Sequence, residues 1–238
     1  MIFGRSDGRP LRIGHRGAAG LAPPNTLEAI ETALMFGLDG VEIDVVAVDG
    51  EIRLAHSLRE RTRESPSLDE ALSLFTLPGS EDVFVHVDVK RPGFEERVVH
   101  ALREHGLGER SIVSSYFRPT LRAVRRFDPD LPTGVAYPYD RTGLAERYVP
   151  ELLVRGGLGA MRHALPRRID GMVLGSQAAV AMLHHLVLSP AVVERCRRLQ
   201  VPVWTWTVND RAALARVEAL GVDAVVTDDP GIFSDRAE

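Results

Sequence analysis

The sequence contains a single lysine. Of its 29 cationic residues only Lys90 is lysine, and the other 28 are arginine. The arginine excess reads as genome composition, but the lone lysine does not. Arginine is a planar fork and lysine a compact point charge, so position 90 is expected to need a point charge. Cysteine is equally scarce. Cys196 stands alone, which excludes an internal disulfide, and it lies in an arginine-rich stretch where it reads as a small packing residue. No run of 18 apolar residues exists, so no membrane span is expected. The first ten residues, M-I-F-G-R-S-D-G-R-P, lack an apolar core, so no signal peptide is expected and the cytoplasm is the default location. There is no basic excess either: the net charge of -4 gives no reason to expect nucleic acid. No linker, low-complexity tract or charge block divides the 238 residues, and 1–238 reads as one domain. Oligomeric state is not legible.

What the sequence does contain is an alternation of short apolar runs with amphipathic stretches, and an apolar fraction of 45% that can fill a sizeable core. Strands are expected at 11–16, 41–48, 83–89, 111–115, 133–137, 171–174, 203–208 and 224–227. Helices are expected at 25–36, where Leu27, Ile30, Ala33 and Leu34 recur at helical spacing, and at 67–75, where Ser67 and Glu70 form a capping box. Further helices are expected at 94–104, 119–127, 190–199 and 211–220, with an interrupted one over 143–162 that breaks at Gly156-Gly157. Asp49-Gly50 is a hairpin signal that folds 51–56 back on the second strand. Eight strands, each followed by a helical pattern, are the count of a (β/α)8 barrel. The expected fold is therefore an α/β TIM barrel with a very small insertion after that hairpin. A doubly wound open sheet is the rival, but it rarely needs eight such units.

Barrel active sites form at the C-terminal ends of strands, and the chemically capable residues fall there. His15 and Arg16 end the first strand. Glu42 and Asp44 lie two apart on the second, hence on one face, and Asp88 and Lys90 repeat that spacing on the third. Trp206 and Asn209 close the seventh, and Thr227, Asp228 and Asp229 close the eighth. His86 shares the face of Asp88 one step deeper and reads as a core or supporting residue. His100, His105 and His163 fall on helices and read as surface. His184-His185 is expected in a loop after the sixth strand, and the apolar run 178–188 reads as either an interface or a pocket wall.

Glu42, Asp44 and Asp88 are three carboxylates with no cysteine nearby. Hard oxygen donors of this kind favour Mg2+ or Ca2+ over zinc. Simple pairing with Arg16 would account for one carboxylate, but three buried ones are too costly to gather without a cation. Three carboxylates, a divalent ion, Arg16, Lys90 and one phosphodiester charge sum to zero. His15 and His56 then read as an acid/base pair, with Arg16 and Lys90 on the non-bridging phosphate oxygens.

These residues carry a resemblance. H-R-G at 15–17, N-T at 25–26, E-x-D at 42–44, D-G at 49–50, His56, D-V-K at 88–90, S-S at 114–115, W-T-V-N at 206–209 and T-D-D-P at 227–230 occur in the order and spacing of the glycerophosphodiester phosphodiesterases. The chain resembles that family over roughly residues 11–233. The resemblance implies a (β/α)8 barrel that hydrolyses glycerophosphodiesters to sn-glycerol 3-phosphate and an alcohol with a divalent cation. It implies His15 and His56 as the acid/base pair and Glu42, Asp44 and Asp88 as metal ligands, the family often having Glu where Asp88 stands. It further implies Arg16 and Lys90 on phosphate, and Trp206 lining the glycerol pocket. Two positions depart from the family pattern. Pro24 replaces the acid of P-E-N-T, and Ser57 follows the second histidine where an acid is usual. A phosphodiester-binding barrel with weakened chemistry, and an enzyme for a lysophospholipid or a glycerol-phosphate polymer, are the competing readings.

Overall fold

The computed structural model of the protein describes residues 4, 8–59, 65–139 and 151–234, with backbone alone for 151–155. In chain order the elements are β1 (Leu11–Gly14), α1 (Leu27–Met35), β2 (Gly40–Val48), β3 (Glu51–Leu54), α2 (Leu68–Leu74), β4 (Phe84–Val89), α3 (Glu95–Glu104) and β5 (Ser111–Ser115). They continue with α4 (Arg118–Phe127), β6 (Thr133–Tyr137), α5 (Glu151–Ala164), α6 (Ile169–Ser176), β7 (Val180–His184), α7 (Pro190–Arg198), β8 (Val203–Trp206), α8 (Arg211–Leu220) and β9 (Ala224–Thr227). Strands β1, β2, β4, β5, β6, β7, β8 and β9 pair in that order, all parallel, and β9 returns to β1. The sheet is thus a closed eight-stranded barrel with helices between its strands, as the strand count implies.

Parallel strands covered on both faces need apolar residues at nearly every position, and β2, β4 and β9 supply them. Inside the barrel Ile13, Phe84, Ile112, Met182, Trp204 and Val226 pack together, with the Phe84 and Trp204 ring centroids 5.5 Å apart. Outside it two apolar layers join the strands to the helices. Helix starts follow their side chains. Ser67 and Glu70 cap α2 reciprocally, and Thr26, Ser189 and Asp210 cap α1, α7 and α8. Asp49 and Gly50 take left-handed φ values of 48° and 86°, which turns β3 back antiparallel to the outer half of β2.

Three expectations need correction. The sixth barrel strand is not 171–174, which lies inside α6; it is β7, Val180–His184. Ile169, Met172, Val173 and Ser176 are buried at spacings of three and four, the mark of a helix, whereas a short apolar run between glycines is ambiguous by periodicity alone. Within the run 178–188, residues 180–184 are accordingly barrel wall, and His184 ends a strand rather than lying in a loop. Helix α5 passes through Gly156-Gly157 without interruption. The rest of that expected helix, 143–150, lies outside the described residues. Cys196 is buried in α7, and burial pushes its thiol up to about 12, so it is an unreactive packing residue. No helix among the described residues is long and apolar enough to cross a membrane.

Candidate active site

The site grows from the turn after β1. His15 N–H donates to the Thr227 carbonyl at 2.7 Å, which carries the chain past the end of β9. Arg16 then adopts a left-handed φ of 50°, and Asn25 does the same at 58°. For non-glycine residues this costs energy and persists only where contacts enforce it. Here the Arg16 N–H donates to Glu42 Oε2 at 2.8 Å, and Asn25 N–H donates to the Arg16 carbonyl at 3.0 Å. Gly17 follows at φ 85°, and a Cβ there would lie 2.4 Å from the Ala29 carbonyl carbon. H-R-G is therefore a turn that only glycine can close against α1.

Glu42 and Asp44 project from β2, and the register sets Asp44 beside Asp88 and Glu42 beside His86. One carboxylate oxygen from each of Glu42, Asp44 and Asp88 lies within 4.8 Å of the other two, and all three residues are buried. Lys90 Nζ lies 2.5 Å from Asp44 Oδ1 and 2.5 Å from Asp88 Oδ2. A single point charge thus serves two carboxylates, a position a planar guanidinium would fit poorly. Arg16 Nε lies 2.9 Å from Asp44 Oδ2. The β3 arm delivers His56, whose Nδ1 is 3.1 Å from Asp44 Oδ2 and 3.0 Å from an Arg16 terminal nitrogen. Asn25 fixes Asp44 from a third side, accepting its N–H at 3.0 Å and donating Nδ2–H to Oδ2 at 3.1 Å.

The charges distribute unevenly. Burial works to raise the Asp44 carboxyl, but Lys90, His56 and Arg16 overcome it and hold it well below the usual carboxylate range. Asp88 is lowered in the same way, burial being outweighed chiefly by Lys90. Burial alone would lower Lys90, and Asp44 and Asp88 instead hold its ammonium well above its ordinary value. Glu42 goes the other way: burial and then the charge of Asp44 push its carboxyl well up. The cluster is one positive charge short at Glu42. A hard divalent cation fits both the oxygen donors and that deficit.

Further side chains brace the cluster. Ser114 Oγ donates to Asp88 Oδ1 at 2.7 Å, and His86 Nε2 lies 2.8 Å from that hydroxyl. Burial drives His86 down to about 4, so it is a neutral supporting ring. His15 turns its Nδ1 to Asp228 Oδ1 at 2.6 Å and leaves Nε2 3.9 Å from Glu42 Oε2. Trp206 ends β8 with its ring centroid 5.1 Å from His184 and 6.3 Å from Tyr116. Lys90 Nζ lies 5.7 Å from the Tyr116 centroid, so Trp206 borders the same mouth. Every residue singled out for the site in the sequence therefore lies at this one end of the barrel. His184 joins it at the rim. Ser57 Oγ is buried without a hydrogen-bond partner, and Pro24 is exposed.

Two imidazoles, three buried carboxylates and two cations thus gather around one opening. The sequence pattern of the Glycerophosphoryl diester phosphodiesterase family matches residues 15–78 and 82–232. The chain belongs to this family. It is by class a phosphoric diester hydrolase. A glycerophosphodiester phosphodiesterase from Caldanaerobacter subterraneus is 28% identical over 93% of this chain and 95% of its own length. A solved structure from Silicibacter pomeroyi, named as a glycerophosphoryl diester phosphodiesterase, superposes with a TM-score of 0.75 at 22% identity, covering 97% of this chain and 93% of its own. A phosphodiesterase from Oleispira antarctica, solved in complex with the product sn-glycerol-3-phosphate, gives 0.69 at 21% identity over 93% and 94%. The two structures establish the likeness of fold.

Four residues around the site gained a role only from the structure. Asn25, Ser114, Asn209 and Asp228 all stand in motifs visible in the sequence, but as polar residues of unassigned purpose. Their partners lie 19 to 213 positions away, and no local signal reports a pairing of that range.

Proposed function

We propose that the chain, as one barrel domain over 1–238, hydrolyses glycerophosphodiesters to sn-glycerol 3-phosphate and an alcohol. The observation that carries this is that His15 Nε2 lies 3.9 Å from Glu42 and His56 Nδ1 3.1 Å from Asp44, so both imidazoles border the Glu42–Asp44–Asp88 cluster that Arg16 and Lys90 also contact. Glu42, Asp44 and Asp88 would hold Mg2+ or Ca2+. Such an ion would supply Lewis acidity toward the phosphate and help orient it. Arg16 and Lys90 bind the non-bridging oxygens, Arg16 through its guanidinium edge and Lys90 as a point charge. His15 and His56 divide the two proton transfers. One takes the proton of the attacking hydroxyl, from water or the substrate's own 2-hydroxyl, and the other delivers a proton to the leaving alcohol. Trp206 walls the glycerol pocket. Small soluble diesters of the cytoplasm are the substrates of this proposal; the net charge of -4 offers no pull toward an anionic lipid surface or nucleic acid.

The test is release of glycerol 3-phosphate from glycerophosphocholine. His15→Ala and His56→Ala each abolish it, and full activity in either refutes the acid/base pair. EDTA abolishes turnover and Mg2+ or Ca2+ restores it; activity indifferent to chelation removes the metal role. A barrel that binds diesters without turning them over is the second reading, favoured by the unpartnered Ser57 hydroxyl where the family usually has an acid. Tight binding of glycerophosphocholine with no product identifies it.

A further inference from the structure

His15 is held from behind by a pair of residues to which neither the family match nor the motif pattern assigns a role. Asp228 follows β9, and its Oδ1 lies 2.6 Å from His15 Nδ1. The second oxygen, Oδ2, accepts the Asn209 Nδ2–H at 2.5 Å. Asn209 follows β8, and its Oδ1 accepts the Asp228 N–H at 2.9 Å and the Thr227 hydroxyl at 3.3 Å. The Asp228 carbonyl accepts the Gly20 N–H at 2.8 Å. Each polar group of the Asp228 side chain and backbone thus has a fixed partner, and the two loops that close the barrel meet at this carboxylate.

We propose that Asp228, clamped by Asn209, is the positioning residue of the site: it fixes His15 with its proton on Nδ1 and aims the Nε2 lone pair at the carboxylate cluster. The inference rests on the assignment of His15 to proton transfer. A carboxylate is acceptor-only, and an imidazole facing it must donate. The neutral ring then has its lone pair on Nε2, the nitrogen 3.9 Å from Glu42 Oε2. Asp228 stays ionised: burial would raise its carboxyl, but the His15 hydrogen bond overcomes that and lowers it.

The clamp makes the direction of failure specific. In Asp228→Asn, the atom facing Asn209 Nδ2–H must be the amide oxygen, because a donor cannot face a donor. The new NH2 group is then turned toward His15 and forces the proton onto Nε2. Changing Asn209→Asp in the same chain reverses this. The new carboxylate accepts from the side-chain NH2 introduced at position 228 while still accepting the backbone N–H there, and the amide oxygen returns to face His15.

The experiment reads the ring and the rate separately. Long-range 15N–1H NMR of histidine-labelled protein shows His15 protonated on Nδ1 in the native chain, on Nε2 in Asp228→Asn, and on Nδ1 again in the double variant. Turnover of glycerophosphocholine falls at least about 100-fold in kcat in Asp228→Asn, with KM within about threefold and Tm unchanged, and the double variant recovers most of it. An unaltered tautomer in Asp228→Asn, or a double variant no better than the single, overturns the proposal. So does an equal loss explained by a fallen Tm. The NMR readout needs no substrate, so it decides the clamp even if the activity proves different.

Discussion

At the scale of single residues, the lone lysine and its two carboxylates give the sharpest expectation. Lys90 Nζ bridges Asp44 and Asp88, and removing one partner of a buried pair leaves charge uncompensated at about 3–5 kcal/mol. Lys90→Met should therefore lose about that much stability in urea denaturation without added metal. Part of the loss should return with Mg2+, which can take over the charge. No recovery would mean that the cation and the ammonium do not share these carboxylates. Lys90→Arg keeps the charge but spreads it over a plane, and should cost turnover of glycerophosphocholine while preserving most of the stability. Composition alone raised the expectation of a point charge at 90. That it would serve two acids at once was not, since the register Asp44–Asp88 arises from pairing β2 with β4.

At the scale of elements, the turn that carries His15 and Arg16 depends on Gly17. Its φ of 85° excludes alanine, and so does the 2.4 Å separation that an added methyl group would have from Ala29. Gly17→Ala should lose more than about 1 kcal/mol, seen as a lowered Tm, and should displace α1 against the β1 turn. Activity should fall further than stability because His15 and Arg16 ride on the same turn. A stable and fully active Gly17→Ala would show that the turn has room it does not display. The element most poorly read from sequence was the sixth barrel strand. G-M-V-L-G at 171–175 and V-A-M-L-H at 180–184 are both short apolar runs. Only the packing of Met172 and Val173 against the helical layer, and of Val180 and Met182 inside the barrel, separates them.

At the scale of the molecule, stability should respond to acid and to metal. An unfolded His184 takes a proton below about pH 6.5, while the folded ring, pushed down to about 4 by burial and then by His185, stays neutral until the pH nears that value. The unfolded chain binds the extra proton, so stability falls as the pH drops from 6.5 toward about 4 and levels off below. His184→Phe should reduce, but not remove, that slope in denaturation at pH 7 and pH 4.5, because buried His86, also driven down to about 4, titrates over the same range. An unchanged slope would mean His184 contributes none of it. Mg2+ or Ca2+ at a hundred times its Kd should add about 2.7 kcal/mol to unfolding. Glu42→Gln should abolish that gain, because the buried carboxyl short of a counter-charge is then gone.

Local chemistry alone determined much of this protein. Short apolar runs placed seven of the eight barrel strands and period-3.6 patterning the helices between them, glycine and Asp-Gly fixed the turns, and carboxylates two apart in a strand were bound to share a face. Only closure of the barrel decided which side chains meet. Asp228 reaches His15 across 213 positions because the last strand pairs with the first, and sequence spacing carries no record of a distance that exists only once the sheet has joined its own edge.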